Sequence, residues 1–213
     1  MAGLGDKTTH VLSIRPVSET DLAFSAELNT HEGWTDTPLD IRRLTRCEPR
    51  GFLIAELKGK PVGQILSISY GKLGWIGFLI VLQEYRRQGI GSALMRRGIA
   101  YLEGLNVQTI ELEARPEAVT FYEEMGFEAE FKTWKFRCFN ERASIGDQSL
   151  VRVMQDQDLA QVSNLDRHIF MGDRSRVLDS ILADNPDRCY VARYRETLKG
   201  YVKASVAILV GLA

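Results

Sequence analysis

Six consecutive residues, Arg86-Arg87-Gln88-Gly89-Ile90-Gly91, put two guanidinium groups and two glycines directly ahead of a stretch in which Leu94, Met95, Ile99 and Leu102 recur at helical spacing. The start of a helix offers unpaired N–H groups and the positive end of its dipole, so an anion is the natural occupant. Glycine lets the backbone approach phosphate oxygens, and arginine adds charge and forked donors; together they have the means to hold a diphosphate. The same residues also suit a plain helix-start turn carrying surface arginines. A third reading is the dinucleotide fingerprint of an oxidoreductase, with Glu111 or Glu113 about twenty residues on to hold a ribose. Against it, Gln83 to Gln88 separate the strand from the glycines, and the repeated strand and helix units of a doubly wound sheet are missing.

The elements that must position this loop follow from local pattern. Residues 74–81 form a continuous apolar run, as expected of a strand buried on both faces. Ser92 is placed to cap the helix after the loop. Residues 109–114 read as a second strand, and Pro116 suits the first turn of a helix over 116–125, closed by Gly126. Residues 127–136 read as a further strand.

The chain also repeats itself. Shifted by 137 positions, Arg15 falls on Arg152, Asp21-Leu22-Ala23 on Asp158-Leu159-Ala160, and Leu28 on Leu165. His31 and His168, Asp36 and Asp173, Pro49 and Pro186, Ala55 and Ala192, and Gly63 and Gly200 coincide at the same offset without a gap. Each copy reads as strand, helix, helix ended by proline, and hairpin, so a duplicated fold is expected. The second copy ends at Ala213, before any counterpart of the arginine and glycine loop. The expected division is a domain over residues 10–139, a polar linker over 140–148 and a partial domain over 149–213. The half-sheet of the partial copy would leave an unpaired edge, which calls for cover by the first domain or, in a homodimer, by a second chain.

Composition sets the remaining bounds. With 27 Lys and Arg against 28 Asp and Glu, the overall charge gives no reason to expect a nucleic-acid partner. Cys47, Cys138 and Cys189 are too widely spaced for a zinc site or a disulfide framework, so free thiols in a reducing cytosol are expected and no metal is. Residues 1–9 lack the apolar core of a signal peptide. The apolar run over 205–213 falls short of the roughly 20 residues that span a bilayer, so it reads as a buried strand and no membrane is implied.

Two motifs in order carry a family resemblance. Arg86-x-x-Gly89-x-Gly91 after an apolar strand is similar to the pyrophosphate loop of the GNAT superfamily of N-acetyltransferases, and Ala118-x-x-Phe121-Tyr122-Glu-Glu-Met-Gly126-Phe127 resembles its later helix motif. Trp34 after Glu32-Gly33, with Asp40-Ile-Arg further on, is similar to a bacterial and archaeal branch with tandem GNAT domains. The resemblance implies an α+β fold, a central twisted mixed sheet flanked by helices, in the first copy, with a partial GNAT-like second copy. It implies acetyl-CoA as acyl donor, lying in an opening between the strands that end near Val81 and Ala114. Leu79, Ile80 and Val81 would pair with the pantetheine arm. Arg86, Arg87, Gln88, Gly89, Ile90, Gly91 and Ser92 would hold the diphosphate, and Tyr122 would be the general acid in transfer to the primary amine of a small molecule or peptide. Arg115 stands where many members carry an asparagine that steadies the arm, and Gln83 replaces a frequent proline. No acid lies between Gly74 and Leu82, where some members place the general base, so the base stays open among Glu32, Asp36 and Glu113, with His31 weaker. Trp34 and its acidic neighbours Glu32 and Asp36 are the substrate candidates. A non-catalytic acyl-CoA-binding module of the same fold is the standing alternative.

Overall fold

In the computed structural model, residues 12–34, 36–134 and 150–203 are described. The chain divides into two units, Met1–Leu112 and Glu113–Ala213. The first holds a five-stranded sheet, in spatial order β1 (Leu12–Pro16), β2 (Phe52–Leu57), β3 (Lys60–Tyr70), β4 (Leu73–Val81) and β5 (Thr109–Leu112). Neighbours from β1 to β4 are antiparallel, whereas β5 runs parallel to β4. A parallel pair needs a crossover, supplied here by α3 (Ile90–Glu103). The β2–β3 hairpin turns at Lys58 and Gly59, with φ of 55° and 71°, as a tight turn with both central residues left-handed requires.

Helices cover both faces of β3. Before β2 come α1 (Leu22–His31) and α2 (Pro38–Cys47); Thr37 caps α2, accepting from the Asp40 N–H at 3.3 Å. On β3, Gln64 faces α1, where its side chain meets Asn29, while Ile65 and Ser67 face α3. Gly98 lets α3 approach closely: a Cβ there would lie 2.4 Å from Ser67 Oγ. Phe52, Ile54, Ile65, Ile68, Leu94, Met95 and Leu102 are almost completely buried. Each such side chain contributes about 1.5–3 kcal/mol on removal from water.

The second unit carries α4 (Val119–Glu123), after a short 3-10 turn at Pro116–Ala118, and then a three-stranded antiparallel sheet of β6 (Val151–Val153), β7 (Cys189–Tyr194) and β8 (Thr197–Lys203). Between β6 and β7 lie α5 (Leu159–Phe170) and α6 (Ser175–Asp184), packed through Val162, Leu178 and Leu182 onto Met154 and Val191. Strand register repeats at the offset of 137. Arg15 opposes Ile54 as Arg152 opposes Val191, Ala55 opposes Gly63 as Ala192 opposes Gly200, and the irregularity at Ala55/Glu56 recurs at Ala192/Arg193.

Side chains repeat as well. Arg15 donates to both oxygens of Asp21 at 2.6 and 2.9 Å, and Arg152 to both of Asp158 at 2.6 and 2.7 Å. Each aspartate also accepts the N–H that opens its helix, from Ser18 at 2.8 Å and from Gln155 at 2.9 Å. The third member differs in sign: Glu56 joins Arg15 in the first cluster, and Arg193 joins Asp158 in the second.

The expected linker over 140–148 lies outside the described residues, as do Cys138 and 205–213, so the expected domain boundaries stand beside the two compact units without being tested by them. One expectation changes. The strand expected over 127–136 does not form over its described part, 127–134. No strand is paired with it, and Phe131 and Trp134 are about 80% exposed, so neither a ladder nor burial holds it extended.

Candidate active site

The apolar run of β4 becomes a site because its pairing changes halfway along. Leu73 to Ile76 pair with Thr109 to Leu112 of β5, and there the parallel ladder stops. From Gly77 to Val81 the β5-facing edge is paired with no strand among the described residues, which leaves it open to a ligand except at the Val81 carbonyl, which accepts from Arg86 Nε. On the β3 side the register slips between Gln64/Ile80 and Leu66/Gly77. Phe78, at φ 53°, takes up the extra residue as a bulge and re-aims the strand. Leu79, Ile80 and Val81, the three residues assigned to the acyl-donor arm, therefore sit together on the free half of β4.

The arginine and glycine loop follows at once. Arg87 and Gly89 both adopt left-handed conformations, φ 62° and 79°. A side chain at Gly89 would meet nothing within 4 Å, so conformation and not space selects glycine there. Gly89, rather than Ser92, caps α3; Ser92 lies inside the first turn because the left-handed cap starts the helix earlier. The first intrahelical bond runs from the Ala93 N–H to the Gly89 carbonyl at 3.0 Å, leaving the N–H groups of Ile90, Gly91 and Ser92 at the open end of a 14-residue helix. Arg87 and Gln88 are exposed; Gln88 donates to the Glu84 carbonyl at 3.2 Å. Arg86 pins the loop, donating through Nε to the Val81 carbonyl at 2.8 Å and through a terminal nitrogen to Glu32 at 2.7 Å.

The connection from α1 to α2 brings the three substrate candidates to this end of β4. Glu32 takes its place through Arg86. Trp34 lies over the bulge, its ring 5.4 Å from that of Phe78, which in turn lies 5.9 Å from Phe52. Asp36 accepts a hydrogen bond from Asn29 Nδ2 at 3.0 Å, and Asn29 Oδ1 accepts from Gln64 Nε2 at 2.8 Å. Burial raises the Asp36 carboxyl above the ordinary carboxylate range, only partly offset by the Asn29 bond. His31 is exposed and 3.9 Å from Glu27, away from this arrangement of bonds.

In the second unit, Tyr122 lies on α4, half-buried, in edge contact with Phe121 and Phe127 at centroid distances of 5.2 and 6.2 Å. Burial pushes its phenol up, so the hydroxyl stays protonated at neutral pH. Gly126, at φ 90°, closes this helical segment. Arg115 precedes the Pro116 turn and is exposed, as is Glu113. Among the described residues, no group of three or more His, Cys, Asp or Glu side chains could hold a metal ion, and no helix is long and apolar enough to cross a membrane.

Sequence reasoning missed Asn29, Gln64 and Phe78. Gln64 carried a signal, a polar residue inside the apolar run Val62-Gly-Gln-Ile-Leu, and a residue so placed needs a buried partner. Phe78 carried none, because a bulge depends on the register of two strands.

A mixed sheet whose β4 and β5 part company above a left-handed, arginine-bearing helix start is the GNAT fold, α+β with helices on both faces of the sheet. The chain belongs to the acetyltransferase (GNAT) family, whose profile matches residues 19–127. It is similar to the N-acetyltransferase YitH of Bacillus subtilis (strain 168), itself uncharacterized, with 28% identity over 172 residues covering 79% of this chain and 60% of that protein. The chain thus spans about 60% of that relative's length. Acetyltransferase SG1711 of Sodalis glossinidius shares 33% identity over 98 residues, 45% of this chain and 69% of that protein. A solved Pyrococcus horikoshii structure assigned as an acetyltransferase superposes with a TM-score of 0.68 at 22% identity, covering 96% of this chain and 75% of that one, which speaks for the fold alone.

Proposed function

We propose that this protein transfers the acetyl group of acetyl-CoA to a primary amine by direct attack in a ternary complex. The observation that carries the reading is the pairing of a free half-strand, Gly77 to Val81, with the left-handed helix start at Gly89 that follows it. The first offers backbone groups to a pantetheine amide, the second N–H groups to a diphosphate. Acetyl-CoA, when bound, supplies the thioester-activated acetyl group. Leu79, Ile80 and Val81 hold its arm, Arg86 to Ser92 hold its diphosphate, and Arg115 is read as a further cofactor-binding residue. Arg86 acts on the phosphates from its anchored position, and Arg87 and Gln88 by reaching from the exposed rim.

The chain's own part in the chemistry is proton handling. A nucleophilic amine must be neutral, and the leaving thiolate must be protonated. Tyr122 is the general acid: its phenol Oη holds a proton at neutral pH, as an ordinary phenol does, and burial raises it further. Glu32, Trp34 and Asp36 wall the amine side, an acidic and aromatic surface suited to a cationic acceptor, either a small molecule or a peptide. A cytoplasmic setting, where acetyl-CoA is supplied, fits this reading.

The described residues 150–203 are read as a second copy of the fold's early elements, supported by the matching register and by the paired clusters of Arg15 with Asp21 and Arg152 with Asp158. Their three-stranded sheet leaves an edge that a second chain would cover in a homodimer. One observation favours a second reading: β4 carries no acid between Gly74 and Val81, as a non-catalytic acyl-CoA-binding module would tolerate. Thiol release from acetyl-CoA with 1,4-diaminobutane, lysine and a short peptide with a free N-terminus decides between them. Amine-dependent release supports the enzyme; acetyl-CoA binding without release supports the module.

A further inference from the structure

Three polar side chains from three elements form one directional chain at the bulged end of β4. Asp36, as a carboxylate, only accepts, so Asn29 must turn its amide nitrogen toward it. Asn29 Oδ1 then faces Gln64, which must answer with its nitrogen. Both amides are fully buried, and the choice has a cost: Gln64 Oε1 is left buried without a partner among the described residues. A core selected only for stability would fill these positions with apolar side chains or close the chain on itself.

The second unit shows the closed solution. Asn29 and Gln64 correspond, at the offset of 137, to Asp166 and Tyr201. There Arg174 donates to both oxygens of Asp166 at 2.5 and 3.1 Å, Tyr201 donates to the same carboxylate, and the carboxylate is 1% exposed. Its charge is consumed inside the fold. In the first unit the corresponding pair is neutral, and it is linked to the half-exposed Asp36, two residues on from Trp34, whose ring lies over Phe78 of β4.

We propose that Asp36 is the carboxylate that receives the proton of the acceptor ammonium, and that Asn29 and Gln64 are positioning residues that fix its orientation. The inference rests on the acetyl-transfer reading above. Of the other acids considered, Glu32 is committed to Arg86 and Glu113 is exposed. The charged groups facing Asp36 from α2 are Asp40, which raises its proton affinity, and Arg43, which lowers it; Asp40 is itself paired with Arg43 at 2.5 Å and bonded by Thr37. Burial outweighs them and moves Asp36 toward the pH range in which a base is useful. The amine proton passes to an Asp36 oxygen as the nitrogen lone pair becomes free to attack.

The test follows the Asp36 carboxyl carbon by NMR titration in the full chain, alongside the pH profile of kcat/KM with acetyl-CoA and the most active amine of the panel above. In Asn29→Ala the Asp36 midpoint rises by about one pH unit, the loss of one charge-assisted hydrogen bond. In Gln64→Leu, which touches no carboxylate, it rises by less but in the same direction. The acidic limb of kcat/KM moves up in the same order, and Asp36→Asn lowers kcat/KM by about 100-fold or more and removes the limb. If Asn29→Ala does not fold, Asn29→Ser and Gln64→Leu carry the comparison. An unmoved midpoint in Gln64→Leu, or a normal rate and limb in Asp36→Asn, overturns the proposal. Absence of transfer by the wild type overturns the reaction reading and the role of Asp36 with it, whereas transfer with an unmoved limb overturns this inference alone.

Discussion

Arg86 and Glu32 meet at 2.7 Å across 54 residues of sequence, tying the first arginine of the loop before α3 to the end of α1. One guanidinium face is therefore spent on protein, and the rest remains for an anion. Arg86→Ala is expected to weaken coenzyme A binding about tenfold or more, the worth of one charged hydrogen bond. Glu32→Gln removes a competing negative charge and is expected to leave binding unchanged or tighter. Calorimetry with coenzyme A at two salt concentrations checks both, and weaker binding in Glu32→Gln would show that the pair supports the loop.

Gly89 holds a left-handed turn in open space. Gly89→Ala is expected to cost about 1 kcal/mol of stability from conformation alone, read from urea unfolding. Gly89→Glu adds charge of the wrong sign at the helix start and is expected to weaken coenzyme A binding more than 100-fold, a loss of about 3 kcal/mol. Normal affinity in Gly89→Glu would move the diphosphate elsewhere.

Tyr122 carries a phenol proton at neutral pH, and burial raises the group further. Tyr122→Phe retains the ring contacts with Phe121 and Phe127 while removing the donor. A fall in kcat of about 100-fold with acetyl-CoA affinity intact is expected, by steady-state kinetics and calorimetry. Full turnover at all pH values would leave the leaving thiolate to be protonated by water.

Asp21 is held down to about 2 by the hydrogen bonds from Arg15. A depressed carboxyl contributes stability that is complete above its unfolded value of 3.8 and lost as pH falls toward 2. Arg15→Met should cost about 2 to 3 kcal/mol at pH 7, since Asp21 keeps its burial and loses its cation, and the difference from wild type should shrink as pH falls from 4 to 2. Urea unfolding at pH 7, 4 and 2.5 measures it; a difference independent of pH would assign the effect to packing instead.

Much of this architecture was readable in the chain because it is written in local chemistry. The hairpin of each copy, the helix start after Arg86 to Gly91, and the recurrence of Arg15 and Asp21 as Arg152 and Asp158 were legible through residues close in sequence or through a fixed offset, whereas the clamp these last residues form was not. The parts that escaped depend on partners far along the chain. Ser92 looked like a cap because serine favours that position, yet the left-handed Gly89 had already begun the helix. Residues 127–134 had strand-like composition, yet a strand exists only with a neighbour to pair with. Asn29 and Gln64 are 35 residues apart and adjoin only because α1 lies across β3.

The two units share strand register at the offset of 137, so their sheets are alike in backbone pairing. Their interiors are not. A helix bearing Asn29 laid on the strand bearing Tyr201 would strand Arg174 without its carboxylate, and a helix bearing Asp166 laid on Gln64 would sink an ion among amides. Each mismatch would cost several kcal/mol, because it leaves a buried ion or its partner uncompensated.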